Sequence, residues 1–153
     1  MAKAYEDRLG YAPTTLLGVI LDSSVLIDAE RQTRPVSDLS GRYPDCLRRR
    51  RHSSVRRKRH RTRTWIWRAN TPEIAQRRRI YIEEVFAAIP VQPFTKEMGQ
   101  LAAKIDVESR QAGVVIPFAD LQIGVTAVHL SCAIATRNIR HFRMITNLVV
   151  KQF

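Results

Sequence analysis

Apolar residues run from Leu16 to Leu21, broken only by Gly18, and the run stops on Asp22. Two small hydroxyl residues, Ser23 and Ser24, follow it, and then a second apolar run, Val25-Leu26-Ile27. This pattern predicts a buried strand that delivers Asp22 to a strand-to-helix turn. Ser24 to Glu30 reads as the start of a helix, with Asp22, Ser23 or Ser24 available as N-cap; free helix N–H groups there favour an ionised carboxylate. Organised patterning returns at Ala69-Asn70-Thr71-Pro72-Glu73, where Thr71 suits an N-cap, Pro72 the first helical position and Glu73 the first-turn dipole. Ile74, Tyr81, Ile82, Val85, Phe86 and Ile89 then recur at helical spacing, with Arg77, Arg78 and Arg79 on a solvated face. Pro90 ends that helix, and Val91 to Phe94 reads as a short second strand. Thr95 caps a further helix with a core stripe of Met98, Leu101, Ala102 and Ile105, closed by Gly113.

Val114 to Phe118 reads as a packed connection broken by Pro117. Asp120 opens an amphipathic helix to about Leu130, Ala133 to Thr136 is a short buried strand, and Leu148 to Val150 another, with Asn138 to Phe142 as a loop between. Alternation of strand and helix argues for a parallel sheet covered on both faces. In such sheets chemistry collects at strand ends. Asp22, Asp120 and Asn138 are the three polar groups at predicted element ends. Two carboxylates and a carboxamide are hard oxygen donors, the kind that hold Mg²⁺ while several waters stay on the ion. An ion so held can activate water and stabilise an in-line phosphoryl transition state.

Between these regions the pattern fails. From about Thr33 to Arg63, and above all from Leu47 to Arg61, there is almost no apolar residue to form a helix face or a core strand, which predicts a solvated basic segment. The net charge of +12 is concentrated there: residues 42 to 68 hold 12 of the 26 Lys and Arg but one of the 14 acids. The rest of the chain is near neutral, so the charge is a local feature and not a general nucleic-acid footprint. Met1 to Thr15 is expected to be a poorly ordered leader without the apolar core of a secretory signal. No apolar run approaches the roughly 20 residues that cross a bilayer. Cys46 and Cys132 lack any paired spacing and are expected as free buried thiols in a reducing cytoplasm. At 153 residues the chain has the length of one domain.

Three blocks together carry a resemblance. Ile20-Leu21-Asp22-Ser23-Ser24-Val25-Leu26-Ile27, Pro117-Phe118-Ala119-Asp120-Leu121-Gln122-Ile123-Gly124 and Ala135-Thr136-Arg137-Asn138-Ile139-Arg140-His141-Phe142 resemble, in order, blocks of the PIN-domain family, specifically VapC-type toxin ribonucleases. The likeness covers residues 19 to 30 and about 66 to 153. It implies a single three-layer α/β/α domain over 16–153 with a central parallel sheet, in which 33–64 is an atypical Arg-rich segment. It implies a Mg²⁺-dependent endoribonuclease, with Mn²⁺ as a substitute, acting as the toxin of a type II toxin-antitoxin system. RNA is then the substrate and a cognate antitoxin the partner, with a homodimer open and no membrane involved. Asp22 and Asp120 match the family's metal-holding acids, and Asn138 its final polar residue, which orients water or metal.

One block departs. Where the family carries Thr-Glu-Leu-x-x-Gly at a helix start, this chain reads His60-Arg61-Thr62-Arg63-Thr64-Trp65, and the acidic Glu is missing. If Arg61 and Arg63 use CGN codons, reading one nucleotide later permits Thr-Glu-Leu-Val-His-Gly. A frameshift that begins between Arg31 and Leu47 and is undone near Trp65 accounts for both the confined charge and the lost periodicity. Coding DNA without a Thr-Glu-Leu reading in the shifted frame would refute it. A site short of one carboxylate is expected to have weak or absent nuclease activity: either a catalytically impaired toxin remnant or a basic RNA-binding protein without turnover, with Trp65 and Trp67 available to stack on bases.

Other polar residues attract simpler readings. His129 is expected at a helix rim and His141 as packing for the loop that carries Asn138; neither has a zinc-ligand spacing. Asp28 and Glu30, near the first helix, have two readings, contact with the ion or simple exposure, and exposure is the expectation. A haloacid-dehalogenase-type phosphatase also opens with a strand ending on Asp, but needs a second Asp two positions later, where Ser24 stands.

Overall fold

The computed structural model describes residues 16–42, 64–89 and 91–152. The expected leader, Cys46, Pro90 and most of the Arg-rich segment lie outside these residues. In chain order the elements are β1 (Val19–Leu21), α1 (Ser23–Arg31), α2 (Val36–Arg42), α3 (Pro72–Ala88), α4 (Lys96–Gln111), α5 (Phe118–His129), β2 (Ala133–Thr136), α6 (Ile139–Phe142) and β3 (Val150–Gln152).

The strands form one parallel sheet in the order β1-β2-β3. Alternation along these short strands divides the core. Val19 and Leu21 of β1, with Ala133 and Ala135 of β2, face one way and pack with Val25, Leu26 and Ala29 of α1, Val36 and Leu39 of α2, and Tyr81 and Val85 of α3. Ile20 and Ile134 face the other way, against Met98, Leu101 and Ile105 of α4, Leu121 and Val125 of α5, and Phe142 of α6. The result is a three-layer α/β/α arrangement with a central parallel sheet, as the alternation of elements predicts.

The caps form as their residues dictate. Thr71 Oγ1 accepts from the Ile74 N–H at 3.3 Å and Thr95 Oγ1 from the Met98 N–H at 3.3 Å. Pro72 occupies the first turn of α3, where its missing N–H costs nothing. Gly113 follows α4 with φ +74°, a left-handed conformation that glycine adopts without strain.

Several expectations are corrected. Val91 to Phe94 is not a strand: Pro93 has no N–H for a ladder, and Phe94 packs instead beside Gly99 of α4. The pattern does not fail at Thr33, because Val36 and Leu39, three residues apart, put one face of α2 into the core. Residues 64–67 are also helical, with Trp65 and Ile66 buried against Ile82. The helix carrying Asp120 starts two residues earlier than expected, at Phe118, and the last strand begins at Val150 because Leu148 is spent on packing against α5. Asn138 to Phe142 is not all loop, since α6 occupies its end.

Candidate active site

The register Leu21↔Ala135 brings the ends of β1 and β2 side by side. The Asp22 N–H extends the ladder to Ala135 O at 2.9 Å, which sets the Asp22 side chain next to Thr136. Both are buried, Asp22 at 3% exposure and Thr136 at 0%. Asp22 is the N-cap residue of α1, yet its carboxylate makes no cap hydrogen bond. It takes hydroxyl donors instead: Ser24 Oγ donates to Asp22 Oδ2 at 2.6 Å and Thr136 Oγ1 donates to the same oxygen at 3.0 Å. Each hydroxyl in turn accepts a backbone N–H from the turn after β2. Arg137 N–H reaches Ser24 Oγ at 3.1 Å and Asn138 N–H reaches Thr136 Oγ1 at 2.9 Å. A hydroxyl that accepts from one group while donating to a carboxylate is polarised toward the donation, so both links strengthen.

The second carboxylate lies in the first turn of α5. Asp120 is buried at 6% exposure. Asn138 Nδ2 donates to Asp120 Oδ2 at 3.2 Å, and His141 Nδ1 lies 2.7 Å from the same oxygen. The three residues expected at the site therefore belong to one hydrogen-bonded chain: Asp22, Thr136, the backbone and side chain of Asn138, and Asp120. The sheet edge that gathers them is its carboxyl end, where open α/β sheets form their sites.

Three participants were not expected from sequence. Thr136 and Ser24 serve Asp22, and His141 is bonded to Asp120 in place of merely packing its loop. His141 carried one available signal, since it stands three residues after Asn138 and so one helical turn away. Glu30 is also corrected. It is buried, 2.9 Å from Arg77 Nε. Asp28 pairs with Arg137. The arginine face of α3 is accordingly only partly solvated, because Arg78 also donates to Trp65 O at 2.7 Å and covers the Trp65 ring. That leaves Trp65 buried and unavailable for stacking, while Trp67 is 80% exposed.

Among the described residues no group of three or more His, Cys, Asp or Glu converges as a cation site. Asp22 and Asp120 with the Asn138 carboxamide are nevertheless the hard-oxygen set that suits a small divalent ion retaining several waters. Among the described residues the donor set offers such an ion two carboxylates, Asp22 and Asp120. Cys132 directly precedes β2, at the opposite end of that strand from Thr136, and burial pushes its thiol up to about 11.

No protein-family model matches the sequence, and no curated protein matches it. Solved structures do match by shape. A chain of VapBC2 from Rickettsia felis, bound to a DNA fragment from its promoter, superposes at a TM-score of 0.71 with 17% identity over 88% of this chain and 98% of the other. A chain of DNA-bound VapBC from Salmonella typhimurium gives 0.72 at 14% identity, over 90% and 98%. FitAcB from Neisseria gonorrhoeae gives 0.67 at 19%, over 86% and 95%. The chain has the VapC-type PIN-domain fold. Within the PIN fold seen here, Asp22, Asp120 and Asn138 all stand at one end of the sheet. The match to these structures spans 86% to 90% of the chain. No helix among the described residues is long and apolar enough to cross a membrane.

Proposed function

We propose that this chain is a Mg²⁺-dependent endoribonuclease, with Mn²⁺ as a substitute, and the toxin partner of a cognate antitoxin. The observation that carries the reading is the hydrogen-bonded chain from Asp22 through Thr136 and Asn138 to Asp120, on a fold shared with chains of toxin-antitoxin complexes. In this reading Asp22 and Asp120 hold the cation and Asn138 orients it or its water. The bound ion supplies activated water and neutralises charge that develops at the scissile phosphate. Ser24 and Thr136 hold the Asp22 carboxylate in one orientation, so little reorganisation accompanies the reaction.

Two carboxylates hold a divalent ion more weakly than three, so turnover is slow. The test incubates the purified chain with single-stranded RNA and Mg²⁺. Slow internal cleavage is expected, halted by EDTA and absent in Asp22→Ala and Asp120→Ala. Cleavage that persists in both variants overturns the reading. The two-carboxylate site also favours a second reading, an impaired toxin remnant that binds RNA without turnover. Its signature is RNA binding that weakens steeply with salt, with no cleavage in either metal.

A further inference from the structure

We infer that His141 is a positioning residue for Asp120: its Nδ1–H fixes the carboxylate in the orientation that holds the cation. The inference rests on the cation reading of this site. An ionised carboxylate only accepts hydrogen bonds. With Nδ1 2.7 Å from Asp120 Oδ2, the ring must therefore carry its hydrogen on Nδ1. Asn138 Nδ2 approaches the same oxygen at 3.2 Å; with the hydrogen on Nδ1, its 2.8 Å approach to Nδ1 is a contact between two donors and not a hydrogen bond. Two donors thus converge on one oxygen from the α6 side. Rotation of the carboxylate would break both contacts.

A second observation, independent of the polar contacts, holds His141 in place. Phe142 beside it is fully buried, and Ile145 just beyond is 3% exposed. Ile145 lies on Gly124, one helical turn after Asp120 on α5. A Cβ at Gly124 would stand 2.3 Å from Ile145 Cδ1 and 3.1 Å from Leu148 Cδ2. Only the bare glycine backbone lets the chain after α6 seat so closely on α5, which keeps the imidazole against Asp120. At the front of the turn, Arg137 is paired with Asp28 of α1. The segment 137–148 is therefore held at both ends with His141 between. Partners that orient a ligating carboxylate commonly change metal affinity by about 10- to 100-fold when removed.

Mn²⁺ binding to the full chain, followed by electron paramagnetic resonance of the free ion, tests this without relying on turnover. Wild type, Asp120→Ala, His141→Ala and His141→Asn are compared, with native circular dichroism required of each. The asparagine amide offers a donor near the Nδ1 position. Asp120→Ala should lose binding, His141→Ala should weaken it at least about tenfold, and His141→Asn should restore most of that loss. In the metal-free wild type at pH 8, ¹⁵N shifts of His141 should report the Nδ1–H tautomer, reverting to Nε2–H in Asp120→Ala. If Asp120→Ala loses Mn²⁺ while His141→Ala binds within twofold of wild type, the positioning role is wrong and the cation site stands. The positioning role is equally overturned if His141→Asn is no better than alanine, or if wild-type His141 is Nε2–H. If Asp120→Ala binds as wild type does, the cation site itself is wrong, and the inference falls with it.

Discussion

Thr136 Oγ1 donates to Asp22 Oδ2 at 3.0 Å across 114 residues of chain, and the same hydroxyl accepts the Asn138 N–H at 2.9 Å. This one buried oxygen joins the first strand to the turn that carries the last site residue. Thr136→Val keeps the shape and deletes both roles. It should cost about 1 to 3 kcal/mol, the usual penalty for stranding buried polar groups, and Thr136→Ser should recover most of it. Urea unfolding midpoints at unchanged slope would measure both.

Glu30 is a buried carboxylate held by a single arginine from α3, at 2.9 Å, and its second oxygen, Oε2, has no partner among the described residues. Removing the cation leaves the charge uncompensated. Arg77→Ala should destabilise by about 2 kcal/mol, below the full cost of breaking a buried pair because the arginine itself is half exposed. Adding Glu30→Gln to that variant should return part of the loss. A double-mutant cycle on the four proteins separates the pair energy from the cost of the stranded acid.

Tyr81 is buried beside α1, and its hydroxyl finds no partner among the described residues. Burial first, then the negative charges of Glu30, Glu84 and Asp38, push its phenol up to about 12 from an ordinary 10.0. The folded chain holds this proton more tightly than the unfolded chain does. Its contribution is therefore complete below about pH 10 and drains away as pH rises toward 12. The loss amounts to about 2 to 3 kcal/mol at most. Tyr81→Phe should abolish it and, by deleting an unsatisfied hydroxyl, should leave stability at pH 7 unchanged or about 1 kcal/mol higher. Cys132 titrates in an overlapping window with the same sign, so the difference between wild type and Tyr81→Phe, not the wild-type curve alone, is the observable.

Thr95 caps α4 through the Met98 N–H, and its side chain also lowers the Glu97 carboxyl below its usual range, together with a backbone hydrogen bond. Thr95→Ala should cost about 1 kcal/mol and Thr95→Ser much less. Thermal unfolding would show a drop of a few degrees for alanine, because α4 supplies Met98, Leu101 and Ile105 to the core on one face of the sheet.

The placement of the three candidate residues was legible because each marks the end of an element. Asp22 terminates an apolar run, Asp120 lies in the first turn of an amphipathic helix, and Asn138 follows a short buried strand. Local patterning detects such boundaries well. The partners were not legible for a physical reason: Ser24 and Asp22 meet Thr136 and Arg137 across more than 100 residues, and no period of 2 or 3.6 encodes a contact at that separation. Glu30 reads as exposed in sequence because its partner stands 47 residues away. His141 reads as packing because α6 spans only four residues, too few to display a face.

By itself, then, the sequence determined the alternation of buried strands and amphipathic helices, the caps at Thr71 and Thr95, and which carboxylates stand at element ends. These are local consequences of side-chain spacing and backbone chemistry. Tertiary structure alone decided the parallel register Leu21↔Ala135 and, through it, the meeting of Asp22 with Thr136. It also seated Ile145 and Leu148, in the chain after α6, on Gly124, which keeps an ordinary-looking histidine against Asp120. Each of these depends on packing between segments distant in the chain, where hydrogen-bond geometry and close contact, not composition, set the outcome.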